Sequence, residues 1–290
     1  MIISYEDFKE KLDQKIKTGE DFNLELLETV IANPRRYCGL FRLSNAKTKL
    51  IQNVTQSKEI KFGDFIEDLS TDYIQKIGYI NKSKDLGTNE DGDRLSADQV
   101  FIDKNIIHLV EQKVRDDHDS TKKRGQYSNF CKKVFLIKKI YPGMHIHASM
   151  WFVDDGLKKN KNYYEKEMEK FKLENCELHL YYGGSFFQDL NNGKEVWDEL
   201  INYLTQLRVE NPNGIFTIPD FGSSQEMYKS LLNLPIKYWK KLESDKSEYK
   251  SLRKELFSSG SNLENARKNR RWVDLLREIF NIDYERLKGK

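Results

Sequence analysis

Residues 98–113 read Asp-Gln-Val-Phe-Ile-Asp-Lys-Asn-Ile-Ile-His-Leu-Val-Glu-Gln-Lys. Asp98–Asp103 and Ile106–Val114 are rich in β-branched and aromatic residues, and only Lys104-Asn105 separates them, so the pattern predicts two strands joined by a tight turn. Side chains alternate between faces along a strand. Leu109, Glu111 and Lys113 therefore share one face, and Val110, Gln112 and Val114 share the other. The hairpin brings Asp98 to the near end of the adjacent strand. Two carboxylates and an ammonium are thus expected together at a sheet edge, with oxygen donors suited to a hard divalent cation such as Mg²⁺. Glu-x-Lys tripeptides also occur on plain solvated faces in a chain that is 33% charged. Here the neighbours Ile106, Ile107, Leu109 and Val110 predict burial, where unpaired charges are costly.

Working outward, apolar positions at three- and four-residue steps predict helices over 5–16 (Phe8, Leu12, Ile16) and 22–32 (Leu24, Leu27, Val30, Ile31), the second stopped by Asn33-Pro34. Phe62, Ile66, Leu69, Tyr73 and Ile77 form the stripe of a third helix ending at Gly78. Residues 82–94 read as a polar loop with a turn at Asp91-Gly92. The very polar stretch 115–126 leads into a helix ending near Ile140, with Asp119 or Ser120 as its cap. His145–Val153 and Glu177–Tyr182 read as strands. Trp197, Leu200, Ile201, Leu204 and Leu207 fit a helix, as do Trp272, Leu275, Leu276 and Ile279. This order predicts an α/β fold around a mixed sheet, as one decorated domain over residues 1–290.

The chain of 290 residues carries 49 Lys+Arg against 46 Asp+Glu, a net charge of +3, so bulk charge neither demands nor excludes a nucleic-acid partner. Aromatic residues at 12% argue against disorder. Cys38, Cys131 and Cys176 are odd in number and form no CxxC pair, which speaks against zinc ribbons and a disulfide scaffold and for free thiols in a reducing compartment. The start, MIISYEDFKEK, has no apolar core of a signal peptide, and no run approaches the ~18–20 apolar residues of a membrane span. A soluble cytoplasmic protein is expected. Phosphate-binding, dinucleotide, zinc-protease and serine-hydrolase motifs are absent. His145-x-His147 puts two imidazoles on one strand face, but no partner stands at ligand spacing and the pair reads as structural. The segment Gly87–Asp98 imitates a calcium loop and fails at its first and twelfth positions.

Asp98 followed by Glu111-Gln112-Lys113, with a helix bearing Glu67 before and a helix and strand after, resembles the PD-(D/E)xK nuclease superfamily, and within it the type II restriction endonucleases. The resemblance covers about residues 60–155. It implies a restriction-endonuclease-like core, a central mixed β-sheet flanked by helices with extra helices at both ends, and a DNA-binding or dimerisation region over about 176–290. It implies Mg²⁺-dependent hydrolysis of double-stranded DNA at a short specific sequence, leaving a 5′-phosphate. Asp98, Glu111 and the Gln112 carbonyl would hold the metal, Lys113 would be the catalytic lysine, and Glu67 would match the acid many members carry on the preceding helix. The chain departs from the family name at Ala97, which stands where it has proline. Gln126 opens a Q-x-x-x-Y pattern of exonuclease-type relatives, but Phe130 closes it.

Arg115, Lys122, Lys123, Arg124 and Gln126, just past the Glu-x-Lys strand, are candidates for phosphate or base-edge contact; Arg and Gln suit guanine and adenine. Arg267–Arg271, Arg35-Arg36-Tyr37 and the mixed stretch 154–170 read as surface segments able to meet phosphate. A single site per chain and two strands to cut imply a homodimer, and a restriction system implies a DNA methyltransferase encoded nearby. The other readings are a structure-specific repair or recombination nuclease, and a DNA-binding protein in which Glu111 and Lys113 form only a structural ion pair.

Overall fold

A computed structural model describes residues 1–270. In chain order, α1 (Tyr5–Lys15), α2 (Gly19–Ala32), α3 (Pro34–Cys38) and α4 (Ala46–Lys76) precede β1 (Ile80–Asn81), β2 (Asp85–Thr88), β3 (Arg94–Ser96), β4 (Gln99–Asp103) and β5 (Ile106–Lys113). Then come α5 (Ser120–Ile140), β6 (His145–Phe152), α6 (Lys161–Lys170), β7 (Cys176–Tyr182), α7 (Ser185–Gln188) and α8 (Gly193–Glu210). The series continues with α9 (Gln225–Asn233), α10 (Ile236–Leu242) and α11 (Ser247–Leu256). The described residues group into two compact units, Met1–Lys15 with Lys61–Pro212, and Ile16–Ile60 with those from Asn213 to Arg270.

The first unit holds a five-stranded sheet in the order β1-β4-β5-β6-β7. β1, β4 and β5 pair antiparallel, whereas β5, β6 and β7 pair parallel, so the sheet is mixed as expected. The hairpin turn at Lys104 takes φ 52°, and the parallel strands are joined by the helical crossovers α5 and α6, which that geometry requires. Leu109, Ile146, Ala148, Met150 and Phe152 pack with Phe130, Val134 and Ile137 of α5 in one buried core. Asp119 caps α5, its Oδ1 accepting from the N–H groups of Thr121 at 3.0 Å and Lys122 at 2.8 Å.

Three segments differ from the sequence reading. The third helix starts at Ala46, well before Phe62. Its upstream half buries Leu50 and Val54 but leaves Ile51 and Ile60 exposed, so no single apolar stripe announces it. The polar stretch 82–94 holds β2, the turn and the start of β3 in the β2–β3 hairpin, whose turn is built by Asn89: its Oδ1 accepts from the N–H groups of Asp91 and Asp93. Leu86 is its buried anchor, too little apolar pattern to read as a strand. The stretch 154–170 contains α6, anchored by buried Tyr164.

In the second unit α2, α3 and α9–α11 enclose a separate core with Leu24, Leu27, Val30, Leu231, Leu252 and Leu256. The expected helix at Trp272–Ile279 and the last residue of the basic run, Arg271, lie outside the described residues. Among the described residues no helix is long and apolar enough to cross a membrane.

Candidate active site

The β4–β5 register sets Gln99 opposite Val110. Asp98, one residue upstream, donates its N–H to the Val110 carbonyl at 3.2 Å. Continuing the ladder sets Asp98 across from Glu111, and directly opposed residues project to the same face. Lys113, two residues beyond Glu111, joins them. Its Nζ lies 2.8 Å from Glu111 Oε1 and 3.1 Å from Asp98 Oδ2, and donates to the Gln112 carbonyl at 2.8 Å. The Gln112 N–H donates to Asp98 Oδ2 at 2.6 Å. Three oxygens from two strands, two carboxylates and a carbonyl, therefore converge on one cationic point. All are hard donors, so the set fits a Mg²⁺-like ion and not a thiophilic one.

Burial, and after it the neighbouring Glu111 carboxylate, raise Asp98 above the usual carboxylate range. Burial acts in the same direction on Glu111, but the Lys113 and Lys133 ammonium groups outweigh it and hold Glu111 below that range. For Lys113 burial works against the charge, and the two carboxylates overcome it and raise its pKa. Two acids sharing one site are thus driven apart in proton affinity.

Lys133 was not anticipated. It projects from α5, is buried, and is ion-paired to Glu111 Oε2. A signal existed: Lys133 lies three residues after Phe130 and four before Ile137, on the apolar stripe of its helix, where a lysine needs a buried acid. Gln99 was also missed. Its buried amide bridges to α4, accepting from Thr71 Oγ1 at 2.7 Å and donating to the Glu67 carbonyl at 2.7 Å.

The Glu67 carboxylate is ion-paired to Lys84 at 2.6 Å. Burial raises its pKa despite that pair, and Asp98 stands near enough to add to the rise. Gln112 is buried with its side chain on the opposite face from Glu111, and its Oε1 makes no hydrogen bond. Only its backbone reaches the acidic cluster.

The candidate DNA contacts stand on the stretch that leaves β5. Arg115 is half-buried, and Lys122 and Arg124 are exposed. Because α5 begins at Ser120, Lys122–Gln126 lie on its first turns and not in a free loop. Lys123 Nζ sits 4.7 Å from the centre of the Tyr163 ring, and Gln126 Oε1 accepts from the Tyr164 hydroxyl at 2.9 Å. Asp116 is fully buried and accepts from Asn160 N–H, Asn160 Nδ2 and the Tyr182 hydroxyl at 2.7–2.9 Å. This acid ties the stretch to α6 and β7, which removes one negative charge from the surface.

A family model described as "Type II restriction endonuclease, HinfI" matches the chain over residues 4–84 and 68–208. The matched span contains Glu67, Asp98, Glu111, Lys113 and Lys133. No curated protein matches the chain.

Proposed function

The chain belongs to the HinfI family of type II restriction endonucleases, and on that premise we propose that Asp98, Glu111, Gln112 and Lys113 are its catalytic centre and that Mg²⁺ is its cofactor. The observation that carries this assignment is the convergence of Asp98 Oδ2, Glu111 Oε1 and the Gln112 carbonyl on Lys113 Nζ within 3.1 Å. Mg²⁺ bound there would lower the pKa of a water and offset charge on the scissile phosphate and the leaving oxygen.

The side chains divide the work. Asp98 and Glu111 hold the metal, with the Gln112 carbonyl as the third oxygen. Lys113, whose charge the two acids secure, orients the attacking water and neutralises the phosphate as negative charge builds on it. Lys133 keeps Glu111 ionised and fixed in position. Glu67 lies beyond this cluster as an auxiliary acid. In-line attack leaves a 5′-phosphate and a 3′-hydroxyl on double-stranded DNA.

Arg115, Lys122, Lys123, Arg124 and Gln126 are the DNA-facing set, where β5 gives way to α5. Residues 1–290 act as one decorated nuclease: the core is about 60–155, and about 176–290 provides DNA grip or a dimer surface. Two chains paired by a two-fold axis would bring one such centre to each strand of a palindromic site. A DNA methyltransferase encoded nearby would protect the host genome, and the enzyme would work in the cytoplasm.

Digestion of an unmethylated phage genome tests the reading. Discrete fragments with Mg²⁺, none with chelator and none from Glu111→Gln are expected. Fragments of equal intensity from Glu111→Gln would overturn the assignment, and a smear independent of sequence would overturn site-specific cleavage.

A further inference from the structure

The carboxylate cluster is not the one group of potential ligands on the sheet. His145, His147 and Glu177 each offer a donor atom, and these atoms lie within 4.8 Å of one another. The sequence supplies the His-x-His pair without a partner. The parallel β6–β7 register supplies one, because it sets His147 beside Glu177. His145 Nε2 lies 3.3 Å from Glu177 Oε1, and His147 Nε2 lies 3.4 Å from Oε2.

Those separations match the edge of a small coordination polyhedron. With bonds of about 2.0–2.1 Å, tetrahedral ligands stand roughly 3.3–3.4 Å apart. A third imidazole adjoins the group. His179 Nε2 is buried without a hydrogen bond, 3.6 Å from Glu177 Oε2, and its ring centre is 4.9 Å from that of His147.

This group is separate from the carboxylate cluster. His145 pairs with Ile106 at the start of β5, while Glu111 pairs with Met150, five residues farther along. At about 3.3 Å per residue the two lie roughly 17 Å apart along the strands. They also lie on opposite faces, since Ala148 and Met150 point into the core that Leu109 shares.

We propose that His145, His147 and Glu177 form a second cation site that takes a borderline transition metal of the Zn²⁺ type and ties edge strand β7 to β6. Two imidazoles and one carboxylate are the donor set such ions prefer, whereas Mg²⁺ is held by oxygen alone. Each imidazole would bind the ion through a nitrogen that carries no proton, so a proton on Nε2 would move to Nδ1 of a neutral ring, or leave to solvent from a charged one, as the ion enters.

The test is Co²⁺ titration of the full chain in saturating Mg²⁺, followed by visible absorption, with melting temperature measured with and without Zn²⁺. Wild type and Asp98→Asn should each bind one Co²⁺ with an intense tetrahedral band, and both should melt higher with Zn²⁺. In His147→Asn and in His145→Asn, each checked for folding by circular dichroism, the band should vanish. Affinity should fall by more than the roughly 10–100-fold that loss of a supporting group costs. The same spectrum and stoichiometry in both folded variants, or no Co²⁺ bound by wild type in Mg²⁺, would overturn the site. Loss of binding in Asp98→Asn alone would assign the ion to the carboxylate cluster instead.

Discussion

The backbone N–H of Gln112 donates to Asp98 Oδ2 at 2.6 Å, so the strand that carries Glu111 and Lys113 also orients the acid contributed by its neighbour. Asp98→Asn keeps an oxygen able to accept this bond and removes the charge. Its fold should persist, Mg²⁺-dependent cleavage should fall to background, and metal-free DNA binding should hold or tighten because one negative charge facing phosphate is gone. Cleavage and filter-binding assays on the same preparation check this. Wild-type cleavage by the variant would dismiss Asp98 as a metal ligand.

Lys113 acts on charge that appears during reaction. Lys113→Ala should lower the single-turnover rate by about 10²–10³-fold, the scale of removing one transition-state donor, with little change in affinity for DNA. Weak binding with an intact rate per bound complex would make Lys113 a phosphate clamp and nothing more.

Lys133 touches Glu111 from α5 and holds it by charge. Lys133→Met leaves that buried carboxylate with Lys113 as its remaining cationic partner among the described contacts. The loss in stability should stay below the roughly 3–5 kcal/mol of a fully broken buried pair. The sign for pH follows from the depressed pKa of Glu111: with less positive charge nearby, Glu111 protonates at higher pH, and the acid limb of the cleavage profile moves up. Lys133→Arg should restore part of both. An unmoved acid limb in a folded Lys133→Met would show that Lys133 only packs.

The hairpin and its two acids were legible because strand alternation is a local rule: Glu111 and Lys113 share a face whatever surrounds them. The crossover helix was legible through Asp119 and a polar run before an apolar stripe. Partners that depend on tertiary packing were not. Lys133 reaches Glu111 because α5 folds back onto the sheet, Gln99 reaches Glu67 across to α4, and Glu177 meets His147 through the parallel register of β6 and β7. The upstream half of α4 was illegible for another reason: its buried positions are too sparse to show a period. The polar run 82–94 read as loop because one buried leucine, Leu86, carries its hairpin.

Arg124 and Gln126 offer two distinguishable roles at the start of α5. If they read bases, substituting either should cost about 1–3 kcal/mol at one base pair and relax selectivity there. Phosphate contacts should instead weaken all sequences about equally and reduce the salt slope by about one per charge lost, which is the pattern expected of Lys122 and Lys123. Gln126 already holds the Tyr164 hydroxyl, so Tyr164→Phe should mimic part of its loss if that bond aims the amide at DNA. Hydrogen exchange with cognate duplex in Ca²⁺ should protect 115–130. Protection of 210–230 in place of that segment would move base reading to the C-terminal part.

Asp220 supplies a stability test in the second unit. Its Oδ1 accepts from Ser259 Oγ at 2.7 Å and from the N–H groups of Gly222 and Ser223 at 2.9 and 3.0 Å, while Lys47 Nζ sits 3.0 Å from Oδ2. Burial works against the charge, but the bonds from Ser259, Lys47 and Ser223 outweigh it and hold the carboxyl well below the usual range. A depressed carboxylate contributes stability in full above its unfolded pKa, about 3.9, and loses it as pH falls through the lower folded value. Asp220→Asn should therefore cost at most about 1.5–3 kcal/mol at pH 7, the scale of hydrogen bonds to a charged group, with solvent screening of the partly exposed carboxylate holding it toward the lower end. The gap from wild type should narrow as pH drops below about 4. Urea unfolding of both proteins across that range checks it. A constant gap would mean that the charge on Asp220 is not what holds this turn.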